Sequence, residues 1–143
     1  MDNALSLGWT QADAQSKRAT YQRILRINLV LHIVIAIVAI FAPRIVSRVL
    51  GLPAPSPAAW VQAWGLLLLL VTLLYWPGLL NPMRLRWPNI VGIVGRAGAA
   101  LIYVLAAFSF PQFLVMALFD GVFAGLLAWS YFGLFRAELM SRP

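Results

Sequence analysis

Four long apolar runs, set apart by short polar or proline-bearing breaks, dominate the chain; they cover residues 27–42, 58–80, 90–110 and 112–135. A helix rises about 1.5 Å per residue, so about 20 residues cross a hydrocarbon core about 30 Å thick. The last three runs reach that length. The first has 16 residues and carries Asn28 and His32, but Arg23 and Arg26 just before it can snorkel and extend its usable length. Hydrocarbon offers no partner for stray backbone groups, so runs this long and continuous predict helices. The punctuation agrees. Ser56-Pro57, Trp87-Pro88 and Phe110-Pro111 each place a proline at a helix start, Pro43 closes the first run, and Pro77-Gly78 weakens the end of the second. The expected fold is all-α, an integral membrane bundle of four transmembrane helices forming one domain over residues 1–143.

Two shorter amphipathic patterns flank the first run. Thr10-Gln-Ala-Asp13 resembles a capping box and opens a helix that runs through Lys17, Arg18, Tyr21 and Ile24 into the membrane, so residues 1–26 read as a basic amphipathic segment. After Pro43, the residues Ile45, Val46, Val49 and Leu50 fall on one face and Arg44, Ser47 and Arg48 on the other. That pattern predicts a short helix lying in the outer interface, ended by Gly51. Leu52-Pro-Ala-Pro-Ser-Pro57 follows as a stiff connector.

Composition supports lipid as the solvent. Of 143 residues 62% are apolar and 10% charged, where a soluble domain carries about a quarter charged. There is no cysteine, which excludes disulfides, thiolate metal sites and cysteine nucleophiles. His32 is the single histidine, so two-histidine haem ligation within the chain is excluded. No Ser/His/Asp arrangement, phosphate loop or metal-ligand cluster is present. The first run follows 26 polar or basic residues and ends without a small-x-small cleavage pattern, so it reads as retained rather than as a signal peptide.

The net charge of +7 lacks a soluble basic module that could read nucleic acid, and its distribution gives an orientation instead. Lys17, Arg18, Arg23, Arg26, Arg84, Arg86, Arg136 and Arg142 share one side; Arg44 and Arg48 hold the other. The positive-inside rule then predicts both termini in the cytoplasm, with Lys17, Arg18, Arg23, Arg26, Arg84 and Arg86 on anionic lipid. Trp60 and Trp64 are expected in the outer aromatic belt; Tyr75, Trp76, Trp87, Trp129 and Tyr131 in the inner one.

A tight turn joins the third and fourth runs, making them antiparallel neighbours. Both carry small residues: Gly92, Gly95, Gly98, Ala99 and Ala100 on one, Ala117, Gly121, Ala124, Gly125 and Ala128 on the other. Small residues allow close backbone approach where no hydrophobic effect operates between helices. Packing within the chain is the expected use, ahead of a homodimer seam.

Two charges lie inside these runs. Arg96 sits about 10 Å from the cytoplasmic end of its run and Asp120 about 13 Å from the outer end of the next, so their heights nearly match. Pairing would compensate both, whereas either alone is an uncompensated buried charge. Asn28 and His32, spaced i, i+4, share a helix face in the same half and complete an expected polar cluster of Arg96, Asp120, His32 and Asn28. Three simpler accommodations remain open: a snorkelling Arg96, a protonated Asp120 and a neutral His32 bonded locally.

The chain also resembles small bacterial four-helix membrane proteins of the DoxX-like kind. The residues concerned are Phe41-Ala-Pro43 with Leu50-Gly-Leu-Pro53, Trp60-x-x-x-Trp64-Gly65, Asn81-Pro-x-Arg-x-Arg86, Gly92-x-x-Gly-Arg96 and Asp120-Gly121. The resemblance implies a four-helix bundle in a bacterial inner membrane, often placed beside oxidoreductases. Small size, minimal loops, no catalytic set and small-residue faces suited to helix contacts give the expectation of an accessory, structural or assembly subunit of a larger membrane complex, non-catalytic itself. Its partners would be membrane lipids and other membrane subunits or a second copy, with no nucleic acid. The alternative is a protein that binds or transports a lipid, quinone or other small apolar molecule through Arg96 and Asp120. A third is an enzyme using Asp120 as acid or base. No metal or resident cofactor is expected, with room left for a bound lipid or quinone.

Overall fold

The computed structural model describes residues 2–141, with side chains from residue 10 onward. The described residues form five helices: α1 Asp2–Phe41, α2 Pro43–Val49, α3 Ala59–Leu80, α4 Arg86–Ala107 and α5 Phe113–Met140. Four of them are long and apolar enough to cross a membrane, α1 through its stretch Thr10–Phe41. Around the bundle the order is α1, α3, α4, α5 and back to α1, with α3 and α4 making the slightest contact of these pairs.

The first helix runs into the apolar run as expected but begins earlier: residues 2–26 and that run lie in a single 40-residue helix. Thr10 lies inside that helix rather than capping its start. No proline interrupts the sequence before Pro43, and the inward positions continue unbroken through the junction: Ala14, Tyr21, Leu25, Asn28, Leu29, His32, Ala36 and Ala39 are all buried. Their spacing of three, four and seven is the helical repeat, so one stripe faces α3 and α5 throughout. α3 matches its run within a residue. α4 begins four residues before its run and ends three before it, while α5 continues five residues past Phe135.

Helix ends lack intrahelical partners for their last carbonyls, and an end buried in a membrane protein needs others. At the C-terminus of α3 they come from neighbouring helices. Gln22 Nε2 donates to the Leu79 carbonyl at 2.8 Å, and Arg18 Nη2 to that of Leu80 at 3.3 Å. The Gly78 carbonyl would ordinarily accept from the residue four places on, but that residue is Pro82, which has no N–H. Asn89 Nδ2 substitutes, donating to Gly78 and to Pro82, each at 3.2 Å. At the opposite end Gln62 Nε2 donates to the Ile40 carbonyl at 3.0 Å and ties α3 to the end of α1.

At Gly65 the backbones of α1 and α3 come close together. A Cβ placed on Gly65 would lie 2.8 Å from Ala39 Cβ and 3.0 Å from the Ala36 carbonyl oxygen. A second contact zone, near the basic end, packs Tyr21, Leu25 and Leu29 of α1 against Tyr75 and Leu79 of α3 and Leu127 and Leu134 of α5. Tyr21 and Tyr131 meet there with ring centroids 5.2 Å apart. Between these two zones the bundle does not close.

Candidate functional site

The opening between the two zones is a cavity of about 660 Å³, almost wholly apolar in its lining. Leu68, Val71 and Leu74 of α3 form one wall, and Val91, Gly95 and Ala99 of α4 the facing one, which is why those helices scarcely touch. Leu74 and Val91 on the rims are 70% and 59% exposed, so the cavity faces outward between α3 and α4. Helix α2 closes its other end. Ile45, Val46, Val49 and Leu50 line the cavity, so the apolar face expected to rest in the lipid interface lies over this space. Gly51, at φ +66°, ends α2 with the left-handed turn that glycine adopts without cost.

The cavity ends on the polar cluster, to which α1, α4 and α5 contribute, with Thr72 of α3 beside His32. Arg96 lies midway along α4 and is 4% exposed. Its Nη1 donates to Asp120 Oδ1 of α5 at 2.5 Å. Its Nη2 donates to Asn28 Oδ1 of α1, also at 2.5 Å, and meets His32 Nε2. The guanidinium carbon is 5.6 Å from the ring centroid of Phe119 and 5.5 Å from that of Phe123, within cation–π range of both. The structure thus brings Arg96, Asp120, His32 and Asn28 together.

Donor and acceptor requirements order the protons in this cluster. A guanidinium has donors only, so the histidine nitrogen it meets must accept. His32 is then the Nδ1–H tautomer, and Nδ1 lies 3.4 Å from the Thr72 hydroxyl. That hydroxyl gives its own proton to the Leu68 carbonyl at 2.7 Å and is left to accept. Each step fits its neighbour. Three buried polar atoms have no partner among the described residues: Arg96 Nε, Asn28 Nδ2 and Asn89 Oδ1. All three residues border a second cavity of about 10 Å³, lined also by Tyr75 and Gly92, which is the space of about one water molecule.

Several residues that complete the site were assigned other roles from the sequence. Tyr75 and Trp64 were expected in the aromatic belts, but Tyr75 is 9% exposed, and both line the cavity. Tyr103 lines it too. Trp60, Trp76, Trp87 and Trp129 do face outward, and Tyr131 packs on Tyr21. Thr72, Phe119 and Phe123 were not singled out at all. A lone threonine in a leucine-rich run and two phenylalanines at i, i+4 around Asp120 are the signals that marked them.

The small residues divide by neighbour. Ala117 is buried, and a Cβ on Gly92 would overlap the Tyr75 ring. Gly121 is exposed, with Ala100 Cβ 3.8 Å from where its own Cβ would stand. Gly95 and Gly125 have nothing within 4 Å of that point, Gly95 because it faces the cavity and Gly125 because it faces outward. Among the basic residues, Arg18 touches the end of α3, and Lys17 runs along Gly133 with its Cδ at 3.9 Å from a Cβ there. Arg86 bonds the Met83 carbonyl and lies over Phe135, while Arg23, Arg26 and Arg84 are exposed. These ends of α1, α3, α4 and α5 lie together, whereas Arg44 and Arg48 belong to α2 at the other end; Arg142 lies outside the described residues.

Fold and site define an all-α bundle of four membrane-length helices with a polar cluster at one end of an apolar cavity that opens between α3 and α4. No family model, curated protein or solved structure matches the chain.

Proposed function

We propose that this chain is a multi-pass membrane protein that binds a small, largely apolar molecule inside the bundle, with the Arg96–Asp120 pair meeting its polar group. The observation that carries this reading is the cavity. Its volume of about 660 Å³ lies in the range of small-molecule sites, about 300–1,000 Å³, and its apolar walls converge on a few fixed polar groups. A structural clasp needs the ion pair but not the space beside it. Ligands would enter from the lipid between α3 and α4. The basic ends of the helices support placement with both termini in the cytoplasm of a bacterial inner membrane.

Filling the cavity tests the reading with little risk to the fold. Gly95 has no neighbour within 4 Å of its missing side chain, and glycine costs a helix about 1 kcal/mol relative to alanine. Gly95→Leu is expected to fold at least as well as the parent yet to lose most of any bound molecule. Native mass spectrometry of protein released from nanodiscs of bacterial lipid reads this directly, as an adduct of fixed mass on the parent that is absent from the variant. Adducts of equal abundance on both would overturn the proposal.

A second reading, an accessory or assembly subunit, is favoured by the exposed face of Gly125 and Ala128, where no described residue lies within 4 Å of a Cβ at Gly125. Purification in mild detergent is expected under that reading to retain partner chains in fixed ratio, released by Gly125→Leu. A lone monomer from the native membrane sinks it.

A further inference from the structure

Resting on the binding reading above, we infer that the cavity selects an uncharged lipid alcohol: an apolar body whose hydroxyl donates to the free carboxylate oxygen of Asp120.

The first support is charge. Among the cavity-lining residues only Arg96 and Asp120 carry formal charge, and they pair at 2.5 Å. His32 is held neutral between a donor-only guanidinium and an accepting hydroxyl. The polar end of the cavity therefore sums to zero. An anionic head would approach the Asp120 carboxylate, and a cationic head the Arg96 guanidinium, in surroundings where charges are weakly screened. Neither sign finds a net counter-charge, so the site discriminates against both.

The second support is which atoms remain free. Arg96 is 4% exposed; its Nη2 serves both Asn28 and His32, and its unpartnered Nε is sealed from the surface. Asp120 is four times more exposed, at 16%, and among the described residues only its Oδ1 is hydrogen-bonded. Of the charged pair, the atom left to a ligand is thus an acceptor, Asp120 Oδ2, while the Tyr75, Tyr103 and Trp64 donors lie elsewhere on the lining. An ionised carboxylate has no proton to donate, so a head group that only accepts gains little there. A hydroxyl donates to Oδ2 in a charge-assisted bond and brings no charge of its own.

A series of equal chain length separates these requirements from simple partitioning into lipid. Dodecan-1-ol, dodecyl methyl ether and dodecyl phosphate are competed, one at a time, against the endogenous or a brominated adduct on full-length protein in nanodiscs, with native mass spectrometry as readout. Dodecan-1-ol is expected to bind at least about tenfold more tightly than either of the others, the scale of one charge-assisted hydrogen bond. Asp120→Asn leaves the Arg96 charge uncompensated and should reverse the order, with dodecyl phosphate becoming the best ligand. General damage to the bundle would weaken all three together and cannot produce a reversal. Should Asp120→Asn fail to fold, the ranking on the parent protein still decides. Equal binding of the ether and the alcohol, or preference for the phosphate by the parent, overturns the alcohol assignment while leaving the binding reading intact. If none of the three binds, the binding reading itself falls.

Discussion

Arg96→Leu and Asp120→Leu are each expected to destabilise the bundle by about 3–5 kcal/mol, while the double variant costs clearly less than their sum. The reason is what each single change leaves behind. Without Asp120, a guanidinium that cannot lose its charge remains among Phe119, Phe123 and Asn28 with no counter-ion. Without Arg96, the carboxylate, Asn28 Oδ1 and His32 Nε2 lose a shared donor, although a lone carboxylate can still neutralise itself by taking a proton. Asp120→Leu should therefore be the worse of the two. Removing both charges leaves only the amide and imidazole to satisfy, so the cycle should show at least about 2 kcal/mol of coupling. Arg96→Lys keeps the charge but not the fork that reaches α1 and α5 at once, and an intermediate loss is expected. Unfolding in mixed micelles or by steric trapping gives all four free energies. Additive single effects would show the pair to be energetically independent.

The pair was legible in the sequence because its cost was. Charge in a hydrocarbon-length run demands a partner, and a short turn between adjacent runs names the helix that supplies it. The spans were legible for a similar reason, since backbone groups in lipid leave only one local structure for runs of this length. The ends were less so. α1 runs unbroken past Thr10 because the stripe from Ala14 to Leu29 is buried by α3 and α5, a tertiary fact that no local cap signal outweighs. The cavity was invisible in principle. Sequence gives the depth of Tyr75 and Trp64 but not which side of α3 they take, and both depths match an aromatic belt as well as a cavity wall. The apolar face of α2 has the same ambiguity, because lipid and an internal apolar cavity select the same residues.

The small residues show where pattern and packing part, and Gly65→Leu is expected to cost about 2–3 kcal/mol where Gly125→Leu costs nothing and gains up to about 1 kcal/mol of helix propensity. The Gly121-x-x-x-Gly125 spacing is the more conspicuous motif, yet nothing lies within 4 Å of a Cβ at Gly125. Gly65 stands alone in a leucine-rich run and makes the tightest approach between α1 and α3. Its partners are Ala36 and Ala39, both fully buried, and one of the contacts is to the backbone carbonyl of Ala36. A flexible side chain could swing aside; a helix backbone and a methyl group cannot. Leucine at 65 must therefore push α1 and α3 apart over the turn where they touch. In lipid that separation forfeits van der Waals contact that the hydrophobic effect does not replace. It should also loosen the bond from Gln62 to the Ile40 carbonyl, one turn away, and widen the end of the cavity beside Trp64 and α2. Two readouts follow: lower unfolding free energy in micelles, and a shift of tryptophan emission that Trp64→Phe removes. A destabilisation at Gly125 as large as that at Gly65, in monomeric protein, would contradict this account of the packing.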